Sequence, residues 1–146
     1  MGMFDALNVS ATGLTAERLR MDVTAENLAN AQTTRGADGQ PYRRKEVVLS
    51  EVQQGGFGSQ LAKAVGAGSQ PGGVEVSGIT QDQTPGKLVY DPGHPDADAK
   101  GYVRMPNVDT VAEMVDLISA SRAYEANVTA MNAAKQMFTK TLDILR

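Results

Sequence analysis

The sequence has no cysteine, no tryptophan, a single histidine and only 5% aromatic residues. Without cysteine there are no structural disulfides and no thiolate metal sites. That absence is compatible with an oxidising compartment without requiring one. Large aromatics supply much of the buried area of a compact core, so their scarcity argues against a large, self-sufficient one. No run approaches the roughly 18 apolar residues of a membrane span, and direct membrane insertion is not expected. Residues 1–9 carry neither a basic region nor a long apolar stretch, so no cleaved signal peptide is expected either. The net charge of -3 is mild and no face is broadly basic, which removes the main reason to expect nucleic acid. The run Arg43-Arg44-Lys45 is followed at once by Glu46. It reads as a solvated strand end rather than a phosphate site.

What the 146 residues do contain is a seven-residue beat at each end. Near the start, Leu7, Leu14, Met21 and Leu28 are spaced by seven, and Phe4, Ala11, Arg18 and Ala25 interleave at steps of three and four. Such spacing puts a narrow stripe on one helix face, as in a coiled-coil seam. Gly13 lies inside and costs about 1 kcal/mol relative to Ala. Near the end, Leu117, Tyr124, Met131, Phe138 and Leu145 repeat the beat, interleaved by Met114, Ser121, Val128, Lys135 and Leu142. Pro106 stops whatever precedes it. Thr110 and Glu113 read as a capping box, each side chain satisfying a backbone N–H of the first turn. A helix over 110–145 would be about 54 Å long.

The middle holds most of the 15 glycines and six prolines. Residues 42–52 have strand-like stretches around Val47 and Val48. Val74-Glu75-Val76-Ser77-Gly78-Ile79 alternates as a half-buried strand does. Pro85-Gly86 signals a turn, with Lys87-Leu88-Val89-Tyr90 as the expected partner strand of that segment. Residues 55–73 read as a mobile loop. The expected architecture is therefore mainly α. Residues 1–30 and 107–146 form a helical coiled-coil domain, and residues 31–106 a β-hairpin and loop extension. A two-helix hairpin leaves much of each helix wet, so the helices are expected to order fully against neighbouring subunits.

No catalytic constellation stands out, and no enzyme, cofactor or metal is expected. His94 lies beside Asp91, Asp96 and Asp98, a setting that could serve a metal or a general base. One histidine without cysteine makes a weak zinc site, and a turn residue is the simpler reading. Asp96, Asp98 and Lys100 imitate the opening of a calcium loop. Lys100 puts an ammonium where oxygen is needed, and Asn107 replaces the closing Glu. Gly56-Phe57-Gly58 starts like a dinucleotide loop, but Leu61 stands at the third glycine. The glycosylation-like Asn8-Val9-Ser10 and Asn127-Val128-Thr129 both fall on expected helices.

The stretch Ala6-Leu7-Asn8-Val9-Ser10-Ala11-Thr12-Gly13-Leu14-Thr15-Ala16-Glu17-Arg18-Leu19-Arg20-Met21-Asp22-Val23, then Glu26-Asn27-Leu28-Ala29-Asn30, resembles the N-terminal signature of flagellar axial proteins, the rod and hook subunits. Val115-Asp116-Leu117-Ile118-Ser119-Ala120-Ser121-Arg122-Ala123-Tyr124-Glu125-Ala126-Asn127 resembles their C-terminal signature. Tyr90-Asp91-Pro92-Gly93-His94-Pro95-Asp96-Ala97-Asp98, with Gly101-Tyr102-Val103 and Pro106-Asn107-Val108, looks like the proximal rod group within them. The resemblance implies terminal helices paired as a coiled coil lining a tube, with a β-rich extension between neighbours. It implies helical stacking into the periplasmic drive shaft of the basal body, and export by the flagellar type III apparatus without a cleaved signal. Implied partners are copies of itself, other rod proteins, the adaptor joining rod to membrane ring, and the export apparatus in transit.

The expected subunit-packing positions are Leu7, Leu14, Met21, Leu28, Met114, Leu117, Tyr124, Val128, Met131, Phe138 and Leu142. Arg18 and Lys135 interrupt the stripes and are expected to pair with acids on neighbours. Two rival readings stay open. One is a helical adaptor that binds a partner without polymerising. The other is a hydrolase built on His94 and its neighbouring aspartates.

Overall fold

The computed structural model describes residues 3–36, 38–52 and 72–144, with side chains from residue 5 to residue 143 of these. The chain is mainly helical. Helix α1 spans Met3–Ala29, and strands β1 Lys45–Glu51, β2 Val74–Gln81, β3 Leu88–Tyr90 and β4 Tyr102–Arg104 follow. Helix α2, Thr110–Ile144, closes the order. The strands make two small sheets, β1 with β2 and β3 with β4. The loop reading of 55–73 and the Gly56-Phe57-Gly58 motif lie outside the described residues, apart from Gly72 and Gly73. Leu145 and the side chain of Phe4 lie outside them as well.

Two compact units divide the chain. Unit 1 comprises Met1–Arg18, Leu49–Ser77 and Ser121–Arg146, and unit 2 comprises Leu19–Val48 and Gly78–Ala120.

In unit 1, α1 runs straight through Gly13. A Cβ there would come within 3.0 Å of the Asn127 amide nitrogen, so the missing side chain is what lets α2 approach. The helix thus gains a close contact for the entropy its glycine costs. Ala16 and Ala134 are buried. One turn before Ala16, Thr12 donates its hydroxyl to Val9 O (2.8 Å) and accepts from Val74 N–H (3.2 Å), which fastens the start of β2. Gly73 precedes that strand at φ 82°, a left-handed backbone that favours glycine.

In unit 2, β3 and β4 are antiparallel, with Leu88 opposite Arg104, Val89 opposite Val103 and Tyr90 opposite Tyr102. Val103 is buried, and the Tyr90 and Tyr102 rings meet edge to face at 5.3 Å. The connection is a chain of aspartate-held turns. Asp98 Oδ1 accepts from Lys100 N–H (2.7 Å) and Tyr102 N–H (3.0 Å), and these bonds hold its carboxyl below the usual range, Tyr102 first. Gly101 then turns at φ 81° against Tyr90 and Pro92.

Two expectations change here. The segment at 87–90 does not partner β2. That strand is taken by β1, with Asp82 N–H bonding Arg44 O (2.8 Å), and Lys87 O accepts from Met105 N–H (2.9 Å) instead. Pro85-Gly86 does not fold the chain back on β2, because Gly86 packs directly on the Met105 carbonyl. The N-cap of α2 is Asp109, not Thr110. Asp109 Oδ1 accepts from Val111 N–H (3.0 Å) and Ala112 N–H (3.4 Å), which leaves the Glu113 side chain for another task.

Candidate functional site

That task is a polar cluster inside unit 2. Asn27 near the end of α1 and Glu113 in the first turns of α2 are both only 1% exposed. A buried amide or carboxylate is costly unless every polar atom finds a partner. Asn27 finds four. Its Nδ2 donates to Lys45 O (2.8 Å) and Glu113 Oε2 (3.1 Å). Its Oδ1 accepts from Lys45 N–H (2.9 Å) and the Tyr42 hydroxyl (2.9 Å). The amide therefore pairs with both backbone groups of Lys45 as a neighbouring strand would, and sets where β1 begins.

Glu113 takes the Arg44 guanidinium on its other oxygen. The hydrogen bond to Glu113 holds Arg44 above its ordinary pKa, outweighing the opposite effect of burial. Arg44 also reaches Glu46 and Asp116, the latter at 3.4 Å, while Arg20 lies 3.8 Å from Asp116. Tyr42 is pushed up to about 12, by burial first and then by the charges of Glu26 and Glu113. A second amide backs the first: Asn107 accepts from Arg44 N–H (2.8 Å) and donates to Asp82 O (3.2 Å). The basic run is therefore not a solvated strand end. Arg44 is tied into the cluster, and Lys45 pairs with Glu26.

Sequence reading missed Asn27, Tyr42, Arg44, Asn107 and Glu113. A signal existed. Glu113, Ala120, Asn127 and Ala134 also step by seven, one residue ahead of Met114, Ser121, Val128 and Lys135. Small and polar residues carry too little hydropathy to be noticed beside Leu and Met.

The expected packing positions fall beside this buried line. Leu7, Leu14, Met21 and Leu28 on α1 are half-buried, as are Leu117, Tyr124, Val128 and Met131 on α2. Met114 is 45% exposed, Phe138 38% and Leu142 51%. Arg18 and Lys135 are exposed. Val111, Val115 and Ile118 add an exposed aliphatic row to the first turns of α2.

The remaining candidate chemistry resolves into turns. His94 Nδ1 accepts from Asp96 N–H (3.1 Å), and Asp96 accepts from the Thr34 hydroxyl (2.8 Å) with Arg35 at 3.6 Å. Among the described residues no three His, Asp or Glu side chains converge as a metal site would need, and no helix is long and apolar enough to cross a membrane. Asn8 and Asn127 both lie on helices.

Comparison with known proteins agrees at both ends. Residues 7–37 match the family described as "Flagella basal body rod protein", and residues 99–144 match "Flagellar basal body rod FlgEFG protein C-terminal". The chain is 54% identical to the flagellar basal-body rod protein FlgC of Bacillus subtilis, over 99% of both chains. It is 48% identical to that of Borreliella burgdorferi, over 100% of this chain and 99% of the relative. Identity to the Aquifex aeolicus protein is 40%, over 98% and 97%.

Proposed function

The chain belongs to the FlgC family of flagellar basal-body rod proteins and is a structural component of that rod, and we propose that it assembles there helically into the periplasmic shaft that transmits torque. The observation that carries the reading is a pair of terminal helices with regular stripes of large apolar residues, several of them exposed in the single chain. A shaft needs subunits that resist twisting. Stripes on long helices, packed as in a coiled coil, spread load over many small contacts.

The polar cluster adds resistance of another kind. Asn27 and Glu113 accept only one register of helix and strand, because sliding by one residue would strand a buried amide and a buried charge. Copies of the chain and other rod proteins are the neighbours this reading calls for. The adaptor joining rod to membrane ring would meet one end of the stack, and the flagellar export apparatus would handle the chain in transit.

Deleting the chain from its host and imaging isolated basal bodies tests this. Membrane rings without a completed rod and hook, in non-motile cells, are expected. Intact filaments and normal swimming would contradict it and favour a helical adaptor that does not polymerise.

A further inference from the structure

We propose that the outward face of the β3–β4 sheet, where exposed aromatic and aliphatic side chains join an arginine, receives strand β1 of a second copy of this chain. The proposal rests on the rod reading above and names a contact between copies that lies away from the helices.

Register sorts this small sheet into two faces. Residues directly opposite each other share a face, and so do residues two apart on one strand. Val89 and Val103 therefore lie on one face, and the buried Val103 seats that face in unit 2. Leu88, Tyr90, Tyr102 and Arg104 lie on the other. Leu88 is 61% exposed and Tyr90 65%, and Tyr102 and Arg104 are exposed with them. A two-stranded sheet is marginal in water by itself, yet this one turns three large side chains to solvent on a single face. Large apolar groups gathered in this way mark an interaction surface.

Charge says which partner fits. Lys87, Lys100 and Arg104 are all exposed, and none is held in an ion pair among the described residues. The nearby acids are taken up by turns. Asp98 accepts from Lys100 N–H and Tyr102 N–H, and Asp91 accepts from Gly93 N–H. The face is therefore apolar with a positive rim, and its complement is apolar with a negative one. Strand β1 has that make-up. Val48 and Leu49 are exposed and stand between Glu46 and Glu51. Lys45, the cation of this strand, is paired with Glu26, and Glu46 is held by Arg44. Glu51 is exposed and in no ion pair among the described residues, which leaves it as the carboxylate for Arg104 of another copy. Opposite charges across such a contact fix its register and reject wrong partners. Because the two patches differ, the contact passes from copy to copy in an open series, as a helical stack requires. A membrane surface asks for a longer apolar face than two strands of three residues provide.

Exchanging the charges tests the pairing. Arg104→Glu and Glu51→Arg each set like charges across the contact, so each alone should shrink swim rings in soft agar. Both changes in one chain restore opposite charges and should recover the rings. Urea midpoints of the purified variants should match that of the native chain, since both positions are exposed. The absence of cysteine permits a second measurement, which decides alone if a charge variant fails to fold. Basal bodies carrying Leu49→Cys together with Leu88→Cys are treated with copper phenanthroline and resolved by mass. A product at twice the 15.4 kDa chain mass is expected from the pair and from neither single variant. No recovery in the combined charge variant, no such product, links only within one chain, or a link to a different protein would overturn the proposal and leave the rod reading intact. Absence of the unmodified chain from basal bodies would overturn the rod reading and this proposal with it.

Discussion

Two stretches of the same helix behave oppositely. Residues 113–120 of α2 contain Glu113 and Ala120, both almost fully enclosed, and are tied by side-chain bonds to α1 and to the start of β1. Residues 135–143 have every side chain exposed. Helix propensity does not separate them, since both hold ordinary helix formers. Burial does. An isolated helical stretch is marginal in water, and most helical stability in proteins comes from packing. The first stretch is thus an anchor inside the chain, whereas the side chains of the second lie at its surface.

The anchor can be broken most severely at Glu113. Glu113→Ala takes from Arg44 its most buried partner, leaving it Glu46 and Asp116, and leaves one Asn27 donor unmatched, a loss of about 3 kcal/mol. The urea midpoint followed by circular dichroism should fall accordingly. Glu113→Gln keeps the shape and should fall less. Asn27→Ala comes next, at about 2 kcal/mol, because both backbone groups of Lys45 lose a buried partner. Hydrogen exchange at the Lys45 amide should accelerate in that variant.

Tyr42 sharpens the comparison through pH. Its pKa is raised in the folded chain from 10.0 to about 12, so the neutral phenol is the favoured form. The stability it contributes is fully present below pH 10.0 and is lost as pH rises towards about 12. Denaturation midpoints measured across that window should drop in the native chain, and Tyr42→Phe should flatten the drop. The smallest effect on the isolated chain belongs to the other stretch. Leu142→Ala should change its stability by less than about 0.5 kcal/mol, as exposed positions do, yet reduce swimming in soft agar. Equal losses of stability from Leu142→Ala and Asn27→Ala would erase the distinction between anchor and surface.

The sequence made some of this readable and hid the rest for physical reasons. Both helices were legible because Leu, Met and Tyr recur at regular spacing, and Gly13 did not interrupt α1. Strands β1 and β2 were legible from Val47, Val48, Val74 and Val76. Strand β4 was not, since Tyr102-Val103-Arg104 is too short to show a pattern and owes its place to the turn held by Asp98. The pairing of β3 was misjudged because Pro85-Gly86 marks a bend without saying which strand lies across it. The polar cluster was hidden most completely. Glu113 and Arg44 look like surface charges in a sequence, and only the fold brings them within reach of Asn27. The capping-box reading of Thr110 and Glu113 failed for the same reason, because Asp109 supplies the cap and frees the glutamate.

Hydrogen exchange read by mass spectrometry, on the dilute chain and on isolated basal bodies, tests the central claim most directly. In the dilute chain, amides of residues 113–120 should be the slow ones on α2 and those of 135–143 should exchange quickly, with the second set becoming slow in the basal body. Equal protection of both stretches in the dilute chain, or fast exchange of 135–143 in the basal body, would contradict a helix that is anchored at one end and completed by neighbours at the other.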